Sequence, residues 1–346
     1  MKPTKIKTIL IGLGRIASKL EKDPYRKKPC THMGVLMTSW GKAHFEFVSG
    51  FDSNPEACEL FQNQWKQPTV NIPNGLFQKL NLPTVNLAII ATPSHTHEGI
   101  AKECIKMGIR HLLIEKPVAM SSKGAKTLEQ LSKSNQTKIW INHERRYHPS
   151  YLFVRDELKK GNFGQIKSIR ASVFTSAKNP GIAFSKSGGG PLLHDGTHAL
   201  DLIHWLVGKP KLVHAKMERP KKGIVETRAS AYFFTNSNIQ ITLDVSGGRE
   251  YFQFELDIHT NSHRIICSND GFQFFQSVPS KLYKGFQSLE LYNPKGFPKP
   301  ETSNAFLGIY KEIKEVIHGE KSTMEGTLSE NIQILESIES IYRNKK

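Results

Sequence analysis

Apolar positions follow two rhythms along this chain, and the change falls near Tyr151. Before it, strand-length, largely apolar runs recur at Lys5–Ile11, 45–51, 85–91, 111–114 and 138–141. Stretches of helical pattern, such as 55–60 and 98–107, separate them. Apolar strands alternating with helices predict a parallel, doubly wound sheet of the α/β Rossmann type. After Tyr151 one helix (151–160) ends at Gly161, and alternating runs follow at 166–174, 229–234, 238–243, 252–258 and 264–267. This period-two pattern predicts an antiparallel meander, and helices at 305–318 and 328–342 close the chain. The expected organisation is two domains, over 1–148 and 149–346. The second is expected to be α+β with a mainly antiparallel sheet, and its last helix to pack back on the first.

The first apolar run leads directly into Gly12-Leu13-Gly14-Arg15-Ile16-Ala17, a Gly-x-Gly-x-x-Ala turn. Gly12 permits the tight turn, Gly14 lets backbone approach a pyrophosphate, and small Ala17 lets helix pack on strand. A phosphate there meets N–H groups at the positive end of a helix. A purely structural glycine turn is the other reading; the position between first strand and first helix favours a dinucleotide. The second strand closes on Asp52, where a carboxylate accepts ribose hydroxyls and repels a 2′-phosphate, favouring NAD over NADP. Asp52 lies about 35 residues past Ala17 instead of the roughly 20 expected, which a polar insertion over 21–29 explains. Capping of the helix at 55–60 is the alternative role for Asp52.

Composition narrows the classes. At 346 residues the chain is long for one core, which supports two domains. Net charge is +17, but the lysines are scattered and only Tyr25-Arg26-Lys27-Lys28 and Arg219-Pro220-Lys221-Lys222 cluster. A basic surface, or steering of an anionic substrate, fits better than nucleic-acid binding. Cys30, Cys58, Cys104 and Cys267 form no C-x-x-C pair. The expectation is a reduced, cytoplasmic protein without disulfides or bound metal, and without a signal peptide or membrane span.

Polar clusters follow the strands: Ala91-Thr92-Pro93-Ser94-His95-Thr96-His97, Glu115-Lys116-Pro117, and Asn142 to Pro149. Ligands bind at strand carboxyl ends in such sheets. Together with Gly12-Leu13-Gly14 and the later Gly188-Gly189-Gly190, these motifs resemble the glucose–fructose oxidoreductase/inositol dehydrogenase (Gfo/Idh/MocA) family over essentially the whole chain. The resemblance implies a dinucleotide-binding Rossmann domain over 1–148, a substrate-binding and oligomerisation domain with a large open sheet over 149–346, and oxidation or reduction of a sugar, nucleotide-sugar or cyclitol carbon with a nicotinamide cofactor. An open sheet leaves one face exposed unless a partner covers it, so a homodimer or homotetramer through the sheet is expected. A member using bound NAD for glycoside cleavage, or a non-catalytic dinucleotide sensor, would keep the same motifs.

The chemistry-bearing candidates follow from both readings. Lys116, at the end of a buried strand and before a proline, can polarise a carbonyl or hydroxyl oxygen; the family's lysine of Glu-Lys-Pro does this. His194 and His198 are four apart, on one face if the segment is α-helical, with Asp195 and Asp201 near. His198 aligns with the family's catalytic histidine, leaving His194 where an aspartate is usual, with Asp195 as the available carboxylate. H-x-x-x-H can also ligate zinc, although no third ligand is obvious. A structural histidine is the plainer reading. By resemblance, the cofactor is expected on Gly12, Gly14, Arg15, Ile16, Asp52, Ala91, Thr92, Pro93, His97, Glu115 and Lys116, with His95 nearby; loop histidines without that role are the alternative. Arg146, with Arg145 and Tyr147 beside it, can grip an anionic substrate group or form salt bridges to the second domain. His194 and Asp195 are also expected to touch substrate.

Overall fold

A computed structural model describes residues 4–73, 84–176, 185, 188–219, 225–299 and 304–344. Pro220, Lys221 and Lys222 of the second basic cluster lie outside the described residues. In chain order the elements are β1 (Ile6–Ile11), α1 (His32–Met37), α2 (Ser39–His44), β2 (Phe45–Asp52), α3 (Pro55–Trp65), β3 (Thr69–Asn71) and β4 (Leu87–Ile90). Then come α4 (His97–Lys106), β5 (His111–Ile114), α5 (Ser122–Ser134), β6 (Lys138–Ile141), α6 (Pro149–Lys159), β7 (Ile166–Ser176), α7 (Thr197–Val207) and β8 (Lys211–Glu218). Strands β9 (Arg228–Phe234), β10 (Gln240–Arg249), β11 (Gln253–Thr260), β12 (His263–Ser268), β13 (Gly271–Pro279) and β14 (Gln287–Tyr292) precede α8 (Ala305–Ile317) and α9 (Leu328–Arg343). Two compact units result: Met1–Tyr147 with Asn304–Ile332, and His148–Ser303 with Gln333–Lys346.

The first unit is built on a six-stranded parallel sheet in the order β3-β2-β1-β4-β5-β6. β4 and β5 supply Leu87 to Ile90 and Leu112 to Ile114, all buried, as strands covered on both faces require. The strand order reverses between β1 and β4, the place where such sheets open a ligand crevice. Residues 304–332 belong to this unit through a buried carboxylate. Glu312 of α8 accepts hydrogen bonds from Trp140 Nε1 (3.1 Å), the Tyr147 hydroxyl (3.1 Å) and Glu325 N (3.0 Å), and pairs with Lys321.

The first helix is interrupted by the expected polar insertion and resumes as α1 after Thr31. The carbonyls of Ile16 and Ala17 accept the N–H groups of His32 (3.2 Å) and Met33 (2.9 Å). The turn after β1 and α1 therefore form one hydrogen-bonded spiral with residues 18–31 extruded between its turns. Glu21 closes the base of the excursion, accepting from Cys30 N at 3.0 Å and Thr31 Oγ1 at 2.8 Å. Thr31 Oγ1 in turn caps Gly34 N at 3.0 Å.

The second unit holds an eight-stranded sheet in the order β14-β13-β12-β11-β7-β10-β9-β8. A simple meander is not what forms: β7 pairs β10 in parallel and β11 antiparallel. Strands 8–10 and 11–14 are two antiparallel meanders joined through β7, because the chain crosses over α7 before the first begins. One face is apolar, with Ile169, Ala171 and Val173 of β7, Leu243 of β10, Phe233 of β9 and Leu256 of β11 all buried. α7 lies against this sheet. Phe254 is in this core, while Tyr232 and Phe234 stand on the other face, their rings 5.1 Å apart and edge-on. That outer face is polar, with Arg228 forked onto Asp244 (3.2 and 2.9 Å) and Arg264 onto Asp257 (2.9 and 3.0 Å).

Candidate active site

In the first unit the candidate residues gather at the carboxyl ends of β1, β2, β4 and β5. Gly12 has φ +88°, and a Cβ there would lie 2.7 Å from the Ala91 carbonyl carbon, so only glycine fits beneath the end of β4. A Cβ on Gly14 would meet nothing within 4 Å, so the turn is open above it. Among the described residues the N–H groups of Gly14, Arg15, Ile16 and Ala17 find no acceptor within the chain. They form a set of donors facing an open approach, as a pyrophosphate needs. Arg15 is exposed and Ile16 half-buried. Asp52 takes Leu13 N at 2.7 Å on one oxygen and Asn54 N at 2.9 Å on the other. The cap of α3 is Asn54, which accepts Glu56 N at 2.9 Å, so the capping alternative for Asp52 falls away. Each Asp52 oxygen keeps a further lone pair for a hydroxyl.

The Glu115-Lys116-Pro117 turn is set by a buried network that the sequence does not display. Glu115 Oε1 lies 2.9 Å from His32 Nε2 and accepts Asn142 Nδ2 at 2.6 Å; His32 Nδ1 lies 2.8 Å from the Tyr310 hydroxyl. The arrangement is satisfied when Tyr310 donates to Nδ1 and His32 donates to the carboxylate. Burial alone would raise the Glu115 carboxyl, but the His32 and Asn142 hydrogen bonds and nearby Lys116 outweigh it and hold the group below its ordinary range. Glu115 is thus a charged anchor inside the fold, one residue from half-buried Lys116. This is where the structure places Glu115, expected at the cofactor, with Oε1 committed to His32 and Asn142.

Two further expectations change for physical reasons. His97 is buried, with Nδ1 2.8 Å from the Pro117 carbonyl and Nε2 2.7 Å from the Thr92 carbonyl. Both ring nitrogens lie against backbone carbonyls, of which the neutral ring donates to one, so the ring packs the Ala91-Thr92-Pro93 loop against the Lys116-Pro117 turn. Thr92 itself is half-buried, Pro93 and His95 exposed. Arg146, expected to grip substrate, is buried to 1% exposure and pairs with Glu330 Oε1 at 2.7 Å. Tyr147 is likewise committed, to Glu312 and the Glu325 carbonyl. Their partners are 165 to 184 residues away in sequence, beyond the reach of a local motif.

In the second unit the Gly188-Gly189-Gly190 turn leads to a π-helical turn, Leu192–Gly196, and then α7. π-Turns inside helices recur at functional sites. The wider turn breaks the α-helical register assumed for His194 and His198. His194 Nδ1 lies 2.9 Å from Asp195 Oδ1, both side chains part-exposed. Asp195 therefore puts a carboxylate directly on His194. His198 is half-buried in the first turn of α7, and Asp201 is buried behind it. Gly196 lies so close to β10 that a Cβ would come 3.0 Å from Val245, which sets the helix start firmly on the sheet.

Comparison with known proteins agrees with both halves. Residues 6–143 match the GFO/IDH/MocA oxidoreductase family model, described as an NAD-binding Rossmann fold, and residues 151–269 match the GFO/IDH/MocA C-terminal domain. An uncharacterized oxidoreductase of Synechocystis, sll0816, is 26% identical over 272 residues, covering 70% of this chain and 71% of its own. The scyllo-inositol 2-dehydrogenase (NADP(+)) IolW of Bacillus subtilis is 21% identical over 81% of this chain and 82% of its own. The WlbA dehydrogenase from Bordetella pertussis, solved with NADH and UDP-GlcNAcA, shares the fold with a TM-score of 0.78. That match covers 99% of this chain and 96% of the other at 19% identity.

Proposed function

This chain belongs to the Gfo/Idh/MocA oxidoreductase family, and we propose that it is an NAD(H)-dependent enzyme moving a hydride to or from a carbinol carbon of a sugar, nucleotide sugar or cyclitol. The observation that carries the reading is Lys116, half-buried at the carboxyl end of β5 and next in the chain to Glu115, whose Oε1 is held by His32 and Asn142. The carboxyl ends of the strands are where such sheets present groups to a ligand.

The residues present suit the dinucleotide. The open donors of Gly14 to Ala17 hold the pyrophosphate, and Asp52 accepts ribose hydroxyls while repelling a 2′-phosphate. The IolW relative is named for NADP(+), so this carboxylate is where we expect the two proteins to differ. When bound, NAD supplies the hydride acceptor, or as NADH the donor. Lys116 polarises the reacting oxygen. His198 takes its proton on oxidation and returns it on reduction, and His194 with Asp195 contacts the substrate hydroxyls and supplies the local negative charge.

The test is turnover against a panel of sugars, nucleotide sugars and cyclitols, with calorimetry of NAD binding alongside. His198→Ala and Lys116→Ala should each lower turnover by roughly 10²–10⁴-fold and leave NAD affinity nearly unchanged. Full activity in both variants overturns the assignment. NAD binding without turnover of any member of the panel favours the sensor reading instead.

A further inference from the structure

Behind the turn that carries His194 and Asp195 lies a buried cluster that the roles above do not use. Glu226 is 1% exposed, and its Oε1 accepts Leu192 N at 2.9 Å, the first peptide of the π-turn. A Cβ on Gly190, whose φ is +95°, would fall 2.3 Å from Glu226 Oε2, so the third glycine of the run is where the carboxyl group sits. The Tyr342 hydroxyl of α9 lies 3.1 Å from the Gly189 carbonyl oxygen and 3.2 Å from each Glu226 oxygen. Three elements distant in sequence thus meet on one turn.

The hydrogen count is short by one. A phenol has a single hydrogen, yet Tyr342 faces two acceptors, the Gly189 carbonyl and the Glu226 carboxylate. A proton on Glu226 resolves this. Its O–H then donates to the Tyr342 oxygen, Tyr342 donates to Gly189, and Leu192 N–H donates to the remaining Glu226 oxygen.

We propose that Glu226 is a neutral carboxylic acid that, with Tyr342, latches the glycine turn and so positions the His194–Asp195 turn for chemistry. Both are positioning residues, and the catalytic consequence rests on the function proposed above. The direction of titration agrees: burial pushes the Glu226 carboxyl up, against the Leu192 N–H, its own N–H, the Tyr342 hydroxyl and Arg219, which pull the other way. Tyr342 of α9 and Arg219 beyond β8 are the ionisable groups that act on it most, and the π-turn contributes the Leu192 N–H. Burial also drives the Tyr342 phenol upward, with Glu226 adding to the shift, so the phenol keeps its proton while the carboxyl titrates. A carboxyl raised in the fold binds its proton more tightly there than in the unfolded chain. Its contribution is therefore complete at low pH and declines as pH rises from the ordinary carboxylate range through the raised value. Once Glu226 ionises, the Tyr342 hydrogen is drawn to the carboxylate and Gly189 loses its partner.

Hydrogen–deuterium exchange of peptides spanning 188–199, corrected for the intrinsic pH dependence, tests this on the full chain. Wild-type protection should fall by about tenfold between mildly acidic and alkaline pH, the effect of losing one buried hydrogen bond. Glu226→Gln, whose amide donates to Tyr342 and whose carbonyl accepts from Leu192, should hold its protection across the range. Tyr342→Phe should be less protected by a similar factor at every pH. Protection in Glu226→Gln as low as in Tyr342→Phe, or wild-type protection that does not change with pH, overturns the proposal. Exchange reads the latch whether or not a substrate is turned over, so its failure is separable from failure of the dehydrogenase reading. On a turned-over substrate, Glu226→Gln should also keep kcat at alkaline pH where the wild type declines, with KM unchanged; a parallel decline counts against positioning.

Discussion

Both oxygens of Asp52 are hydrogen-bonded to backbone, so this side chain shapes the glycine turn as well as presenting a charge. Its substitution should therefore have two effects. Wild type should bind NADH more tightly than NADPH, and Asp52→Ala should narrow the difference while weakening both, since Leu13 N–H loses its acceptor. Calorimetry with NADPH tighter than NADH would contradict the assignment. By the motif resemblance His194 takes the place of a usual aspartate, and its Nδ1 lies 2.9 Å from Asp195 Oδ1. We expect His194→Asp to retain turnover if the position only charges and orients the site. Loss of activity in that variant, with His198→Ala active, would make His194 the proton carrier. At this scale the glycine turn and the Glu-Lys-Pro turn were legible because their demands are local: a positive φ, an open approach, a strand end. His97 and Arg146 were not, because what commits them is a carbonyl at Pro117 and a carboxylate at Glu330. His32, Tyr310, Glu226 and Tyr342 carry no motif at all. The one hint was the third glycine of Gly188-Gly189-Gly190, which marks a close approach without saying of what.

Among elements, the strands were readable because burial on one or two faces dictates their period. The parallel β7–β10 contact was not, since pairing partners are set by the crossover through α7 and leave no trace in periodicity. The insertion over 21–29 was visible as a polar, proline-bracketed run, but its extrusion from a continuing helix depends on bonds from His32 and Met33 back to Ile16 and Ala17. α8 is the element whose attachment can be tested most simply. Removing the Glu312 carboxylate leaves Trp140 Nε1, Glu325 N and Lys321 without this acceptor, while the Tyr147 hydroxyl keeps the Glu325 carbonyl. Glu312→Ala should cost on the order of 3 kcal/mol in denaturant unfolding, discounted for the part-exposed lysine. A loss under about 1 kcal/mol would mean that the network is replaceable by water.

For the molecule as a whole, we propose that the net charge of +17 steers anionic ligands toward the site. Among the described residues no helix is long and apolar enough to cross a membrane. The outer face of the large sheet carries Tyr232, Phe234 and the Arg228–Asp244 and Arg264–Asp257 forks, a mixture suited to a protein partner. We propose a homodimer or homotetramer through it. Light scattering at micromolar concentration should give a mass of two or four chains, and Tyr232→Asp should shift it toward one; a monomeric wild type contradicts the assignment. The account stands or falls on hydride transfer, which isotopic labelling reads directly. NADH deuterated at the transferring position of nicotinamide C4, given with the oxidised form of a panel sugar, should yield a reduced sugar carrying one deuterium, and Lys116→Ala should suppress that transfer. Label retained wholly in the cofactor, or a cleaved glycoside with no net cofactor oxidation, would contradict it.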